Sequence, residues 1–324
     1  MTQTSIHIQA MCPLTMDEGL PPRIPFLPDC IVHHAEGLLV TGMEGEVIWL
    51  DQNFQPVSDV KTPHPMRFRQ ASISNGQLYA TWLDRELLLA CMGSMPVGVV
   101  EEGRPRSEIR TSMGTQTMHY PAGTTWSHAL DAEPMALKSD GEIVVFLLYN
   151  RGIYKIGTKA DERWRMPPPE WRYPKKRPRN EEPVALHLEE EVYWITSRGG
   201  RVQRRSLETG HLIEEFLLEG VEAPVEHHFK HEDQHLACSS TGMVTWILNG
   251  EVKQQIQLSG PVQDAMWDQH LGGWRIAGWR EEVFLSDRMI DRRETRELPV
   301  HVCPFKGGGI VLFNDGSWET SPFE

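Results

Sequence analysis

The chain has 324 residues, 40% of them hydrophobic and 24% charged, which is enough apolar material for one large repeat fold or two to three ordinary domains. A formal charge of −13 argues against broad binding to nucleic acid or to an anionic membrane. Five cysteines, odd in number and far apart (Cys12, Cys30, Cys91, Cys238, Cys303), argue against disulfides and against a structural zinc site.

The N-terminal stretch MTQTSIHIQAMCPL lacks both a basic leader and an apolar segment of signal-peptide length. No apolar run approaches the roughly 20 residues of a membrane span. Together with the scattered cysteines, this predicts a soluble, cytoplasmic protein. Within that stretch, SIHIQAM (5–11) alternates like a lone strand.

Strand-length apolar runs closed by turns then recur along the chain, with units expected at about 30–62, 66–101, 134–168, 183–220, 224–260 and 261–300, and an incomplete one at 301–324. The pairs Asn75-Gly76, Asp140-Gly141, Asn249-Gly250 and Asp315-Gly316 mark two-residue hairpins. A period near 40 residues with about four strands per unit predicts an all-β fold: a single β-propeller domain spanning 1–324. Seven blades are favoured, and the N-terminal strand is expected to complete the last blade and close the ring, removing open edges. Eight blades is the alternative count, because residues 102–183 have room for two units. The eleven tryptophans fall mostly in predicted strands (Trp49, Trp82, Trp194, Trp246, Trp274, Trp279, Trp318), where large flat side chains fill the space between blades.

Two segments break the period. Residues 101–134 lack alternating strands and read as an insertion whose first half is disordered. Residues 163–182, RWRMPPPEWRYPKKRPRNEE, read as an exposed, stiff loop, since Pro167–Pro169 forbid helix and central strand. Between 163 and 179 this loop carries seven Arg or Lys against one acid, Glu170. Arg172, Lys175, Lys176 and Arg177 are the expected charge for an acidic partner, with Trp171 and Tyr173 as aromatic anchors. The same cation and aromatic mixture suits single-stranded nucleic acid, which the overall charge disfavours. The bland alternative is a solvated connector whose aromatics fold back onto the propeller.

The repeats resemble the PQQ-like and WD40-like propeller superfamily. SLETGHLIEEFLLEG (206–220) looks like the turn-and-strand of PQQ-like repeats, with Ser206 and Phe216 in place of Asp and Trp; LNGEVKQQIQLSG (248–260) is a weaker version. The resemblance implies the architecture alone. No cofactor is expected, because the leader and adjacent cysteine pair of quinoprotein dehydrogenases are missing.

Histidines sit in or beside the predicted inner strands: His33-His34, His187, His227-His228, His231 and His235. A ring fold can converge such residues on its channel, so His34, His187 and His228 form a candidate metal set for a propeller hydrolase or lyase. Satisfied imidazoles between blades are the plainer expectation. No P-loop, G-x-S-x-G, H-E-x-x-H or dinucleotide fingerprint is present. The sequence therefore favours a non-enzymatic protein-interaction scaffold, a subunit of a larger assembly.

Overall fold

The computed structural model describes residues 19–111, 119–173, 178, 181–222 and 224–323. They form seven antiparallel sheets in a ring, all β apart from one helical turn and a half. Blade 1 holds β1 (Pro28–His34), β2 (Gly37–Gly42) and β3 (Val47–Asp51), and blade 2 holds β4 (Phe68–Ser74), β5 (Gln77–Asp84), β6 (Leu89–Pro96) and β7 (Trp126–Leu130). Blade 3 follows with β8 (Pro134–Asp140), β9 (Ile143–Leu148), β10 (Gly152–Gly157) and β11 (Glu162–Met166), and blade 4 with β12 (Pro183–Leu188), β13 (Val192–Ser197), β14 (Arg201–Ser206) and β15 (Leu212–Leu217). Blade 5 is β16 (Val225–His231), β17 (Gln234–Ser239), β18 (Met243–Leu248) and β19 (Glu251–Gln257). Blade 6 is β20 (Asp264–Asp268), β21 (Gly273–Ala277), β22 (Glu281–Ser286) and β23 (Ile290–Glu294), and blade 7 is β24 (Pro299–Phe305), β25 (Gly308–Phe313) and β26 (Trp318–Thr320).

Each blade is a meander, first strand innermost, so its fourth strand ends on the face where its first began. That face, called the upper face below, carries the blade-to-blade connections and the turns between second and third strands. Asn75-Gly76 and Asn249-Gly250 sit at lower-face hairpins with both residues at positive φ, 46° and 68° in the first and 53° and 81° in the second. Two-residue turns of this kind match the right-handed twist of the strands they join.

Blades 1 and 7 show three strands each among the described residues. In blade 1 the outer place is taken by the 56–61 stretch, bridged at Leu50–Pro56 and Val47–Lys61. The ring closes where blade 7 meets blade 1 around a shared core that includes Leu38, Val40, Ile48, Leu50, Cys303, Ile310, Leu312 and Trp318. Leu20, Ile24 and Phe26 join this core, and the Ile24 N–H donates to Gly316 O at 2.8 Å. The strand expected at SIHIQAM (5–11) lies outside the described residues.

Trp49, Trp82, Trp246 and Trp274 are buried between blades as expected, and Trp318 lies in the closing core. Trp279 is not: it occupies the upper-face turn between β21 and β22, 47% exposed, with Arg280 beside it at φ 57°. The 101–134 segment also differs from a plain insertion. Trp126–Leu130 supplies the outer strand of blade 2, in register with Ser94–Ala90 of β6, and Arg106–Thr111 forms the short helix α1. The period is thus interrupted inside blade 2, after β6, rather than between two blades. Likewise Glu162–Met166 is strand, so the basic connection begins only at Pro167.

Cys30, Cys91, Cys238 and Cys303 are free thiols, and burial pushes those of Cys30 and Cys91 up to about 12. Among the described residues no helix is long and apolar enough to cross a membrane.

Candidate interaction face and histidine clusters

The connection from β11 to β12 crosses the upper face between blades 3 and 4. Its side chains alternate. Trp171 is buried in the core shared by those blades, against residues such as Met135, Ile153, Leu186 and Tyr193. Arg172 is exposed, while its backbone N–H donates to Glu215 Oε1 at 2.9 Å. Glu215 is also bound by Gln203 Nε2 at 2.9 Å, and the same amide donates to Glu170 O at 2.8 Å.

Tyr173 turns back inward. Its hydroxyl donates to Glu181 Oε1 at 2.5 Å and lies 3.1 Å from Ser197 Oγ, and the Arg201 guanidinium sits 5.5 Å over its ring. Burial, with the Glu181 hydrogen bond, holds the Tyr173 hydroxyl well above its ordinary pKa. Gly199 leaves room for this contact, since a Cβ there would lie 2.2 Å from Tyr173 Oη. The Tyr173–Glu181 bond joins two points eight residues apart and ties the base of the intervening loop. Of the six residues expected to meet a partner, Trp171 and Tyr173 are thus engaged within the chain, Arg172 faces solvent, and Lys175, Lys176 and Arg177 lie outside the described residues.

The three candidate metal histidines do not converge. His34 belongs to blade 1, edge-on to Trp49 at 5.3 Å, and its Nδ1 accepts the Glu36 N–H. His187 and His228 do meet, and His235 extends them into a string across blades 4 and 5. His187 Nε2 lies 3.2 Å from His228 Nδ1, and His228 Nε2 lies 3.0 Å from His235 Nδ1. Thr196 Oγ1 joins at His228 Nδ1, 2.9 Å away.

Burial lowers all three pKa values, aided by Lys230 and, for His187, Lys138; His187 falls to about 3 and His235 to about 4. The string is therefore neutral at pH 7. Lys230 itself bonds Glu189 and stands 4.8 Å over the Trp194 ring. Among the described residues, no group of three or more His, Cys, Asp or Glu is placed to hold a metal ion.

The channel holds a second histidine node that the sequence reading missed. A cavity of about 610 Å³ is lined by inner strands of several blades, bringing Asp29, His33, Arg67, Lys138, His227 and Asp264 around one space. At its edge His301 of β24 joins three blades. Its Nδ1 lies 3.2 Å from Asp264 Oδ2 in blade 6, and its Nε2 lies 3.1 Å from the Asp29 carbonyl in blade 1.

Both partners of His301 offer only lone pairs, so an imidazolium satisfies both and a neutral ring satisfies one. Burial opposes that charge, but the hydrogen bond and charge of Asp264, with the Asp29 carbonyl and carboxylate, outweigh it and raise the His301 pKa. The available signal was spacing. His187 and His228 are 41 residues apart, and Asp264 and His301 are 37 apart. One repeat length places two residues at equivalent sites on neighbouring inner strands.

No protein-family model matches the chain, and no curated protein does. Solved structures match along nearly its whole length. The WD40 β-propeller domain of Doa1 aligns with a TM-score of 0.61 at 11% identity, covering 94% of this chain and 95% of that one. The β-propeller domain of Cps50 (Swd1) from Myceliophteria thermophila gives 0.65 at 8% identity, covering 91% and 96%. BamB from Moraxella catarrhalis gives 0.55 at 11%, covering 92% and 97%. At such identities the likeness shows the fold alone, and in fold this chain is a seven-bladed β-propeller similar to WD40-like and PQQ-like ones.

Proposed function

We propose that the chain acts as a single-domain, non-enzymatic interaction scaffold in the cytoplasm, a subunit of a larger assembly that receives an acidic segment of a partner protein on its upper face. The observation that carries this reading is the tied loop between blades 3 and 4. Trp171 and Tyr173 fix its root, Arg172 projects from it, and Lys175, Lys176 and Arg177 follow within the same short tether. Loops held by a rigid frame bind without the full ordering cost of a free chain. In this role the two aromatics are footings, and the cations make the contact.

The test is affinity capture from the native host with the wild-type chain and with a variant carrying Ala at Arg172, Lys175, Lys176 and Arg177. Arg172 is exposed and bonds Glu215 through its backbone N–H, which Ala retains, so the variant is expected to keep its melting temperature. It recovers much less of the wild-type partner, and the wild-type association weakens with salt. Equal recovery by both chains sinks the reading.

A further inference from the structure

We propose that a cleft on the upper face between blades 1 and 2 is a second docking point, taking a protein segment in which Asp or Glu flanks a large aliphatic side chain. The proposal rests on the scaffold reading for its setting, but on different residues.

The cleft encloses about 450 Å³, and its lining includes Met43, Met66 and Leu83. Arg67, Arg69, Arg85 and Arg106 stand around it. Asp84, Glu133 and Asp29, which pair with them, are the less exposed partners. Asp84 has a side chain only 4% exposed and pairs with Arg106, whose exposure is 39%. Glu133, 27% exposed, pairs with Arg69 and Arg85, the latter 74% exposed, and Asp29, 18% exposed, pairs with Arg67, at 48%. The acids thus orient the guanidinium groups from behind while leaving their outer edges in water. Two acids do reach solvent: Glu44, and Glu86, which is held between Arg106 and Arg110 at 2.8 and 2.9 Å.

The rim of the cleft is fixed by hydrogen bonds and ion pairs. Asp84 Oδ1 accepts the Glu86 and Leu87 N–H groups, closing the turn after β5, and α1 is strapped to that turn through Arg106. The same turn carries Leu88, 88% exposed at φ 53°, a conformation that non-glycine residues adopt at a cost. Leu27 and Met43, joined by a backbone hydrogen bond, are exposed on the same face. Exposed aliphatics beside a preset arginine cluster fit an acidic, leucine-like segment: the side chain enters the methionine-lined cleft, and its neighbouring carboxylates meet the guanidinium forks. Charge complementarity selects the sign. On a protein of net charge −13, an acidic segment is repelled by most of the surface and is drawn to such arginine sites.

The test uses a short fluorescein-labelled peptide of glutamate, aspartate and leucine, with a lysine and leucine peptide as control, read by fluorescence polarisation. Three variants of the full chain are compared: Arg67→Glu with Arg85→Glu, Met43→Asp, and Lys175→Glu with Lys176→Glu. The acidic peptide binds the wild type, and the arginine pair and Met43→Asp each weaken it about tenfold, equivalent to about 1.4 kcal/mol. Met43 is exposed, so its variant folds even if the double reversal does not. Absence of acidic-peptide binding, equal binding of the basic control, or full binding by Met43→Asp overturns the proposal. Loss in the lysine pair with no loss in the cleft variants overturns the cleft and leaves the tied loop as the docking element.

Discussion

The two histidine clusters use one side chain in opposite ways. In blades 4 and 5, His187, His228 and His235 bond mainly to one another and to Thr196, with no carboxylate hydrogen-bonded to their rings, and burial keeps them neutral although Asp233 and Glu189 favour a proton on His235. At the junction of blades 6, 7 and 1, His301 faces a carboxylate and a carbonyl, and its charged form is favoured although it is buried as well. Burial alone does not set the charge of an interior imidazole; the lone pairs within reach of its two nitrogens do.

The largest effect expected from breaking this contrast is at His228, which serves three partners at once. His228→Ala leaves His187, His235 and Thr196 without their shared partner and costs roughly 2–4 kcal/mol in urea unfolding at pH 7. The wild-type string also makes the fold acid-sensitive. Its folded pKa values lie below the unfolded value near 6.5, so its contribution is complete above that pH and is lost as pH falls toward 4 and 3. For buried His235 alone the loss is about 2 kcal/mol at pH 5. A variant whose stability declines between pH 7 and 5 as steeply as the wild type contradicts this account.

His301→Gln comes next, and its pH dependence has the reverse sign. The folded pKa of His301 is raised, so its stabilisation is full below about 6.5 and disappears as pH rises through the folded value. The wild type therefore exceeds His301→Gln by roughly 1–2 kcal/mol at pH 6, and the gap narrows toward pH 9. A gap that is constant or widens with pH removes the charged bridge from the picture.

The smallest effect is at Lys230, whose charge helps to keep the string neutral. With Lys230→Gln, the titration midpoints of His187 and His235 move upward in NMR. Unmoved midpoints would mean that burial alone suffices.

Much of the frame was legible from the sequence because a propeller repeats its own instructions. Alternating runs recur in every blade, and Gly-containing turns and buried tryptophans in several, so an error in one unit is corrected by the next. The outer strand at Trp126–Leu130 was not legible: residues 97–125 separate it from β6, and its outward position leaves little hydrophobic alternation to read. Trp279 misled because residue type was read without its place in a turn.

The connection between blades 3 and 4 was half legible. Its charge and its prolines were plain, but the parity that sends Trp171 and Tyr173 inward and Arg172 outward depends on the seam between two blades. The histidine contacts were present as intervals of 41 and 37 residues, near the repeat length, yet the interval acquires meaning only once adjacent blades are known to present equivalent positions to each other. Residue type left open a metal set beside the plainer expectation of satisfied imidazoles between blades; repeat phase would have singled out the paired neighbours.

The knot between Tyr173 and Glu181 separates what the ring must conserve from what it is free to vary. Because both strands leaving the knot are already committed to their blades, added length beyond it enlarges a loop without moving its ends, and the closure cost grows only logarithmically with that length. The stretch from 174 to 180 can thus be lengthened or exchanged for a foreign epitope at little cost to the propeller beneath, so that replacing Lys175, Lys176 and Arg177 there tests the proposed contact apart from the fold.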